Sequence, residues 1–314
     1  MTDAPAPRPP KTPRPQQVKK IRREVSGWIV LDKPVGMTST HAVSRLKRIY
    51  NAKKAGHAGT LDPLASGILP VAFGEATKTV PFVQDGEKSY QFTVKWGEAT
   101  NTDDVEGEVT ERSALRPTRE MVEALLPRYV GTIMQTPPAF SAIKVNGERA
   151  YDIARDGEEV KLAARPIVIH ALRLISFEGE RAVFEADCGK GTYVRALARD
   201  FGRELGCLGH LIALRRTRVG PFTVPDATPL AALDDAAEAG AAMKPVEAGL
   251  IEVPCVVVDR NGAGRLRRGQ GLLLRGRDAP DDGWAWASCQ GEPVAFGQVE
   301  EGELRPSRVF NLGR

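Results

Sequence analysis

Short apolar runs with two-residue alternation are interleaved with helical stripes, but in no regular strand–helix–strand rhythm. That irregular mixture constrains the fold more than any other feature, because a doubly wound parallel sheet needs the rhythm and an α+β fold does not. Gly27 to Leu31 is a short apolar run and is predicted to be a strand. Ser39 is placed to cap a helix whose apolar residues Ala42, Val43, Leu46 and Ile49 recur at helical spacing. Ile68 to Phe73 has strand character, and Tyr90 to Trp96 alternates by face as a half-buried antiparallel strand does. Thr118 to Leu126 is predicted to be a helix with Met121, Val122 and Leu125 on its apolar side. Two strands, Pro166 to Phe177 and Arg181 to Asp187, flank a Glu178-Gly179 turn. Val194, Leu197, Ala198, Phe201 and Leu205 form a further helical stripe.

The texture changes along the chain. Residues 1–24 are rich in proline and basic side chains and poor in core formers, the composition of a disordered tail. Residues 25–250 carry the globular pattern, closed by the alanine-rich stretch Ala231 to Ala242. Within them, about 131–156 is a long excursion containing Pro137-Pro138 and a short predicted helix near Ala150 to Arg155. From about Val253, short apolar runs broken by glycine (Cys255 to Val258, Leu272 to Leu274, Trp284 to Ala287, Val294 to Phe296) predict a small β domain over 251–314. The expected fold class is therefore α+β, a mixed and largely antiparallel sheet flanked by helices, followed by a small C-terminal β domain.

Composition narrows function only a little. Hydrophobic residues at 42% suffice for a packed core, and no apolar run reaches the length of a spanning helix. Met1 to Glu24 lacks the apolar centre of a signal peptide. Cys188, Cys207, Cys255 and Cys289 lack CxxC spacing, and His41, His57, His170 and His210 are dispersed, so reduced cytoplasmic thiols and no metal site are expected. The net charge of +4 permits nucleic-acid binding without requiring it. Its distribution is more suggestive: Lys190, Arg195, Arg199, Arg203, Arg215, Arg216 and Arg218 face only Asp200 and Glu204 in sequence, and Arg265, Arg267, Arg268, Arg275 and Arg277 face no acid. Such clusters suit phosphate contacts, or else a solvated face with surface ion pairs.

Gly56-His57-Ala58-Gly59-Thr60-Leu61-Asp62-Pro63-Leu64-Ala65-Ser66-Gly67 is the most unusual segment. Its glycines shape a loop, and Pro63 drives Asp62 to extended backbone angles, which helps aim the carboxylate. Asp-Pro is also a common turn initiator, so a plain turn is the competing reading. A nucleotide-phosphate loop is disfavoured by the absence of GxxxxGK[ST] and GxGxxG.

This loop is similar to the aspartate motif of the TruB family of pseudouridine synthases, and five other segments agree in order. Asp32 to Ser39 resembles the family's first motif, Lys88-Ser89-Tyr90 its tyrosine motif, and Gln135 to Lys144 its RNA-contacting thumb insertion. Gly191 to Arg195 and Leu214 to Phe222 resemble the two later motifs. The Pro-rich tail is not part of that pattern, and the C-terminal region looks like a PUA-type RNA-binding domain by position and texture.

The resemblance implies a pseudouridine synthase fold and a reaction that detaches uracil from C1′, rotates it and rejoins it through C5, with no cofactor or metal. The implied substrate is the TΨC stem-loop of tRNA at conventional position 55. Asp62 would be the nucleophile, a role that suits a group able to add to carbon and leave again; attack at C6, attack at C1′ and a glycal route are all compatible with it. A free aspartate is already ionised at neutral pH, so Arg195 would orient Asp62 through a bidentate pair rather than activate it. A uridine in a folded arm must be flipped out, and Tyr90 would stack on it and handle a proton at C5. Tyr193 and Leu214 would line the same pocket and His57 would lie near the displaced nucleotide. Lys33 would buttress the loop, while Lys144, Arg149, Arg215, Arg216 and Arg218 would grip phosphates. The C-terminal domain would add binding rather than chemistry. The implied enzyme is a cytoplasmic monomer with no membrane and no obligatory protein partner. Two alternatives carry different tests: a guide-RNA-dependent synthase, which would not modify bare transcript, and a non-catalytic RNA-binding or RNA-folding protein, which would make no pseudouridine.

Overall fold

A computed structural model describes residues 21–312 except 142–143, 146–147, 150–161 and 275–278, and describes the backbone alone at 144–145 and 148–149. In chain order the first elements are β1 (Gly27–Lys33), α1 (Ser39–Ile49), β2 (Ala55–His57), β3 (Ala65–Phe73), α2 (Val80–Asp85) and β4 (Lys88–Trp96). A hairpin of β5 (Glu98–Thr100) and β6 (Val109–Arg112), the helix α3 (Arg119–Leu125) and β7 (Gly131–Gln135) follow. The insertion contributes the two-residue strands β8 (Lys144–Val145) and β9 (Glu148–Arg149), which pair with each other. Then come β10 (Arg165–Phe177), β11 (Arg181–Cys188), α4 (Val194–Glu204), β12 (Gly209–Val219), β13 (Phe222–Thr223), β14 (Thr228–Pro229) and α5 (Ala236–Ala242).

Most of these strands form one ten-stranded sheet in the order β14-β1-β3-β12-β4-β11-β10-β7, with β2 added to β3 and β13 to β12. All pairs are antiparallel except β1–β14 and β12–β3. The mixed order confirms the α+β expectation. Alternation is strict on β4, where Phe92, Val94 and Trp96 point into the core. Phe92 stacks on Phe184 of β11 at 5.3 Å, and Phe201 of α4 closes on both, covering one face of the sheet centre.

Three expectations are corrected. Thr118 does cap α3, but Met121 is exposed, so its buried side is Val122 and Leu125. Thr38, not Ser39, caps α1 by accepting from the His41 N–H. Ordered chain also starts before residue 25. Arg23 donates its N–H to Asn51 and accepts from Lys53, and the Asn51 amide donates to the Ile21 carbonyl. The rest of the tail (1–20) and the predicted helix near Ala150 to Arg155 lie outside the described residues.

The C-terminal sheet has the order β15 (Cys255–Val257), β17 (Gly283–Cys289), β18 (Glu292–Glu300), β19 (Glu303–Val309) and β16 (Leu272–Leu273). It also carries a helix that the glycines at 262 and 264 concealed in sequence: α6 (Arg260–Arg267), capped by Asp259. The sheet docks on α2. Phe82 sits 5.3 Å from Trp284 and 5.2 Å from Phe296 by ring centroids, edge to face in both cases. Phe296 and Phe310 join Trp28, Val30, Ile68 and Phe222 in a single buried cluster. Lys78 donates to the Val309 carbonyl and the Asn311 N–H donates to Glu75. Among the described residues no helix is long and apolar enough to cross a membrane.

Candidate active site

The loop between β2 and β3 is fixed by its backbone. Its five consecutive carbonyls from Gly59 to Pro63 are all hydrogen-bonded. Arg216 donates to Gly59 (3.1 Å) and Thr60 (3.2 Å), the Ser39 hydroxyl to Leu61 (2.9 Å), the Ala65 N–H to Asp62 (3.1 Å), and the Gly36 N–H to Pro63 (2.7 Å). Ser39 also accepts from the Leu61 N–H at 2.9 Å, so this buried hydroxyl clips the loop to α1 instead of capping the helix. Leu61 and Leu64 are buried beneath the loop. A backbone with every carbonyl engaged has little freedom, and the Asp62 carboxylate is left pointing outward, 35% exposed.

Arg195, in the first turn of α4, meets it. Its Nε lies 3.1 Å from Asp62 and its side chain is only 9% exposed. The remaining guanidinium nitrogens turn elsewhere: Nη1 to Asp104 (3.4 Å) and the Thr102 carbonyl (3.2 Å), Nη2 to the Phe140 carbonyl (3.0 Å). The expected bidentate pair is therefore a divided fork. One edge takes Asp62 and the rest anchors the cation to the β5–β6 turn and to the start of the insertion. Asp104 is itself buried and accepts from the Thr102 hydroxyl (2.6 Å) and the Glu106 N–H (3.0 Å).

Tyr90 and Arg216 are direct cross-strand neighbours on β4 and β12, and Leu214 pairs with both Phe92 and Ala65. Burial pushes the Tyr90 hydroxyl pKa up against the pull of Arg216, so the phenol is neutral at neutral pH. Tyr193 is held by its backbone: Gln135, a buried amide, accepts from its N–H (2.9 Å) and donates to its carbonyl (3.1 Å). His57 is held below its usual pKa by burial and then by repulsion from Arg216. Lys33 is buried, donates to the Pro34 (2.9 Å) and Met37 (2.7 Å) carbonyls, and has its pKa lowered to about 8 by burial, with Asp62 pulling the other way. It braces the loop of the first motif, which in turn braces the Asp62 loop through Gly36 and Ser39.

The chain matches the TruB family pseudouridylate synthase model (N terminal domain) over residues 47–194 and the tRNA pseudouridylate synthase B C-terminal domain over 195–250. It is 60% identical over 312 residues to tRNA pseudouridine synthase B of Bradyrhizobium diazoefficiens, covering 96% of this chain and 90% of that protein. The chain belongs to the TruB family. With the protein of the same name from Rhizobium meliloti, identity is 54% over 95% of this chain and 98% of that one. Among solved structures, a chain of a Cbf5-Nop10-Gar1 complex superposes with a TM-score of 0.69 at 25% identity, over 91% of this chain and 84% of that one.

Set in this TruB-family chain, the sequence-predicted residues divide into two groups. Asp62, Tyr90, Tyr193, Arg195 and Leu214 converge around the loop, with His57 and Lys33 beside it. The arginines expected to grip phosphates do not stand free. Arg215 makes two bonds to Asp32 (3.0 and 2.9 Å) on the opposite face of β12, Arg218 pairs with Glu87 and Glu252, and Arg216 is buried. Arg199 is likewise taken up by Asp103 (3.0 Å) and Asp200 (2.8 Å), and Lys190 by Asp85. Counting charge along the chain misses acids that other elements supply. The side chains of Lys144 and Arg149, and Arg275 and Arg277, lie outside the described residues. Ser39 as a loop clip, Asp104 and Gln135 were missed: Ser39 and Gln135 stand at the edges of matched motifs but act through partners far along the chain, Leu61 and Tyr193, and Asp104 stands in no matched motif.

Proposed function

We propose that this chain converts a uridine in the TΨC loop of tRNA, conventional position 55, to pseudouridine, with Asp62 as the catalytic carboxylate. The observation that carries this reading is the Asp62–Arg195 contact at 3.1 Å, with the carboxylate accessible and the arginine buried. The uridine leaves its stack and enters the pocket, where Tyr90 and Tyr193 offer aromatic faces and Leu214 an apolar floor. Asp62 adds to carbon and departs again. N1–C1′ breaks, the uracil turns, C5–C1′ forms, C5 loses its proton and N1 gains one. These changes require no metal or redox cofactor. The neutral Tyr90 hydroxyl is suited to relay a proton at C5 rather than to serve as a resident phenolate. Arg195, tied to Asp104, Thr102 and Phe140, keeps the carboxylate aimed while the base rotates.

The C-terminal sheet acts as a PUA-type RNA-binding module, and the exposed Arg267 and Arg268 of its helical edge supply phosphate contacts. The enzyme works as a monomer in the cytoplasm on bare tRNA. Incubating the pure protein with an unmodified tRNA transcript and mapping pseudouridine tests this. Wild type should modify the TΨC-loop uridine and Asp62→Asn should modify nothing. A guide-dependent enzyme would leave bare transcript untouched, and a folding protein would bind it without product.

A further inference from the structure

Arg216 is the family-motif arginine whose burial is hardest to account for. Its side chain is among the largest fully buried ones in the chain, and no carboxylate among the described residues pairs with it. Removing a guanidinium from water is costly unless its donors are satisfied. Here carbonyl oxygens satisfy them: Ile68 on β3 at 2.8 Å from Nε, Thr60 at 3.2 Å from Nη1 and Gly59 at 3.1 Å from Nη2. Two of those carbonyls belong to the loop that carries Asp62.

Strand register explains why this side chain reaches them. Arg216 is the Cα partner of Tyr90 on β4 and of Gly67 on β3. At Gly67 the backbone is left-handed (φ +99°), and a Cβ there would lie 2.2 Å from the Arg216 carbonyl oxygen. The strands are thus drawn together where β3 leaves the loop, Arg216 donates to two of the loop's carbonyls, and its side chain interacts with the Tyr90 hydroxyl of the facing strand.

We propose that Arg216 is a positioning residue for the isomerisation: its buried guanidinium fixes the Gly59–Thr60 backbone and the hydroxyl end of Tyr90 relative to each other. Asp62 and Tyr90 then approach the flipped uracil from set directions. The inference rests on the assignment of Asp62 and Tyr90 given above. It replaces phosphate gripping as the role of Arg216, since a fully buried side chain presents no surface to RNA.

Arg216→Met and Arg216→Lys test it, measured by thermal melting, tRNA affinity across a salt series and single-turnover rate at saturating tRNA. A catalytic group displaced by about 1 Å loses roughly a hundredfold in rate. Arg216→Met is therefore expected to slow the single turnover by that order while affinity and salt slope stay at wild-type values. Arg216→Lys, which keeps the charge but cannot reach three carbonyls, should fall between. The His57 imidazole should titrate at higher pH in the folded Met variant, by NMR. A phosphate contact gives the opposite pattern: weaker affinity, a salt slope reduced by about one and full rate at saturation. That pattern, or a folded Met variant with wild-type rate, overturns the proposal. If the Met variant does not fold, the Lys variant decides, and failure of both to fold assigns Arg216 a purely structural role. Asp62→Asn is measured in parallel. If it still turns over, the reading of the active site has failed; if it is inactive while the Arg216 variants are normal, only this inference has.

Discussion

Arg195 holds two carboxylates, and their environments predict different responses to the same substitution. Asp104 is 3% exposed and 3.4 Å from Nη1 of Arg195; Asp62 is 35% exposed and 3.1 Å from Nε. With an effective dielectric of 20, the attraction at Asp104 is about 5 kcal/mol. Asn at 104 keeps the shape and can still accept from Thr102 and Glu106, so only the charge is lost. The buried arginine retains Asp62 and two carbonyls, which brings the net cost to roughly 2–3 kcal/mol, just under the usual range for breaking a buried pair. For a chain of this size that corresponds to a drop in melting temperature of about 5 °C. At Asp62, solvent screening reduces the same substitution to about 1 kcal/mol or less. Differential scanning fluorimetry with single-turnover assays separates the two. Asp62→Asn should melt near wild type and form no product. Asp104→Asn should melt lower and react about a hundredfold more slowly, because the arginine that aims Asp62 has lost its lateral anchor. If Asp104→Asn melts with the wild type, or Asp62→Asn proves the less stable of the two, the division of the arginine fork described here is wrong.

Other outcomes follow from the same geometry. Lys33 donates to two carbonyls of the first-motif loop and has its pKa lowered by burial to about 8; with the ammonium as the bracing form, the turnover rate should fall as pH rises through that value, and Lys33→Met should lose this limb of the profile. The effect on stability has the opposite sign: from about 8 up to about 10.5 the unfolded chain binds more protons than the folded one, so this lysine's contribution to stability rises with pH, as denaturant titrations over that range would reveal. Tyr90→Phe should leave tRNA affinity intact and slow the single turnover; unaltered kinetics would reduce Tyr90 to a stacking surface. A chain ending before Val253 uncovers Phe82, so it should melt lower and bind a hydrophobic dye, and a truncated chain as stable as the full one would contradict the shared cluster.

Local structure was legible in sequence where periodicity is strong. The strands at Gly27, Tyr90 and Pro166 and the helix from Val194 follow from alternation and spacing alone, and the Gly/Pro-shaped loop marked Asp62. What sequence withheld was pairing at a distance. Arg195 and Asp104 are separated by about ninety residues along the chain, and Asp104 sits in an Asp-rich turn that resembles any solvated loop. Arg215 and Arg216 look equivalent as neighbours, yet on a strand they point to opposite faces, one to Asp32 and one into the core. The helix over Arg260–Arg267 was hidden because two glycines lower its propensity, and packing on the β-sheet outweighs them.

The seam between the two sheets has a consequence for which RNAs can be substrates. Phe82, packed edge to face against Trp284 and Phe296, ties the C-terminal sheet to α2. Under the proposed function, in which the α6 arginines hold the RNA, the span from Asp62 to α6 is a built-in dimension against which that RNA is gauged. A tRNA whose stem is lengthened by one base pair is expected to bind this enzyme yet react more slowly in single turnover, and equal rates for the two stems would refute a fixed span.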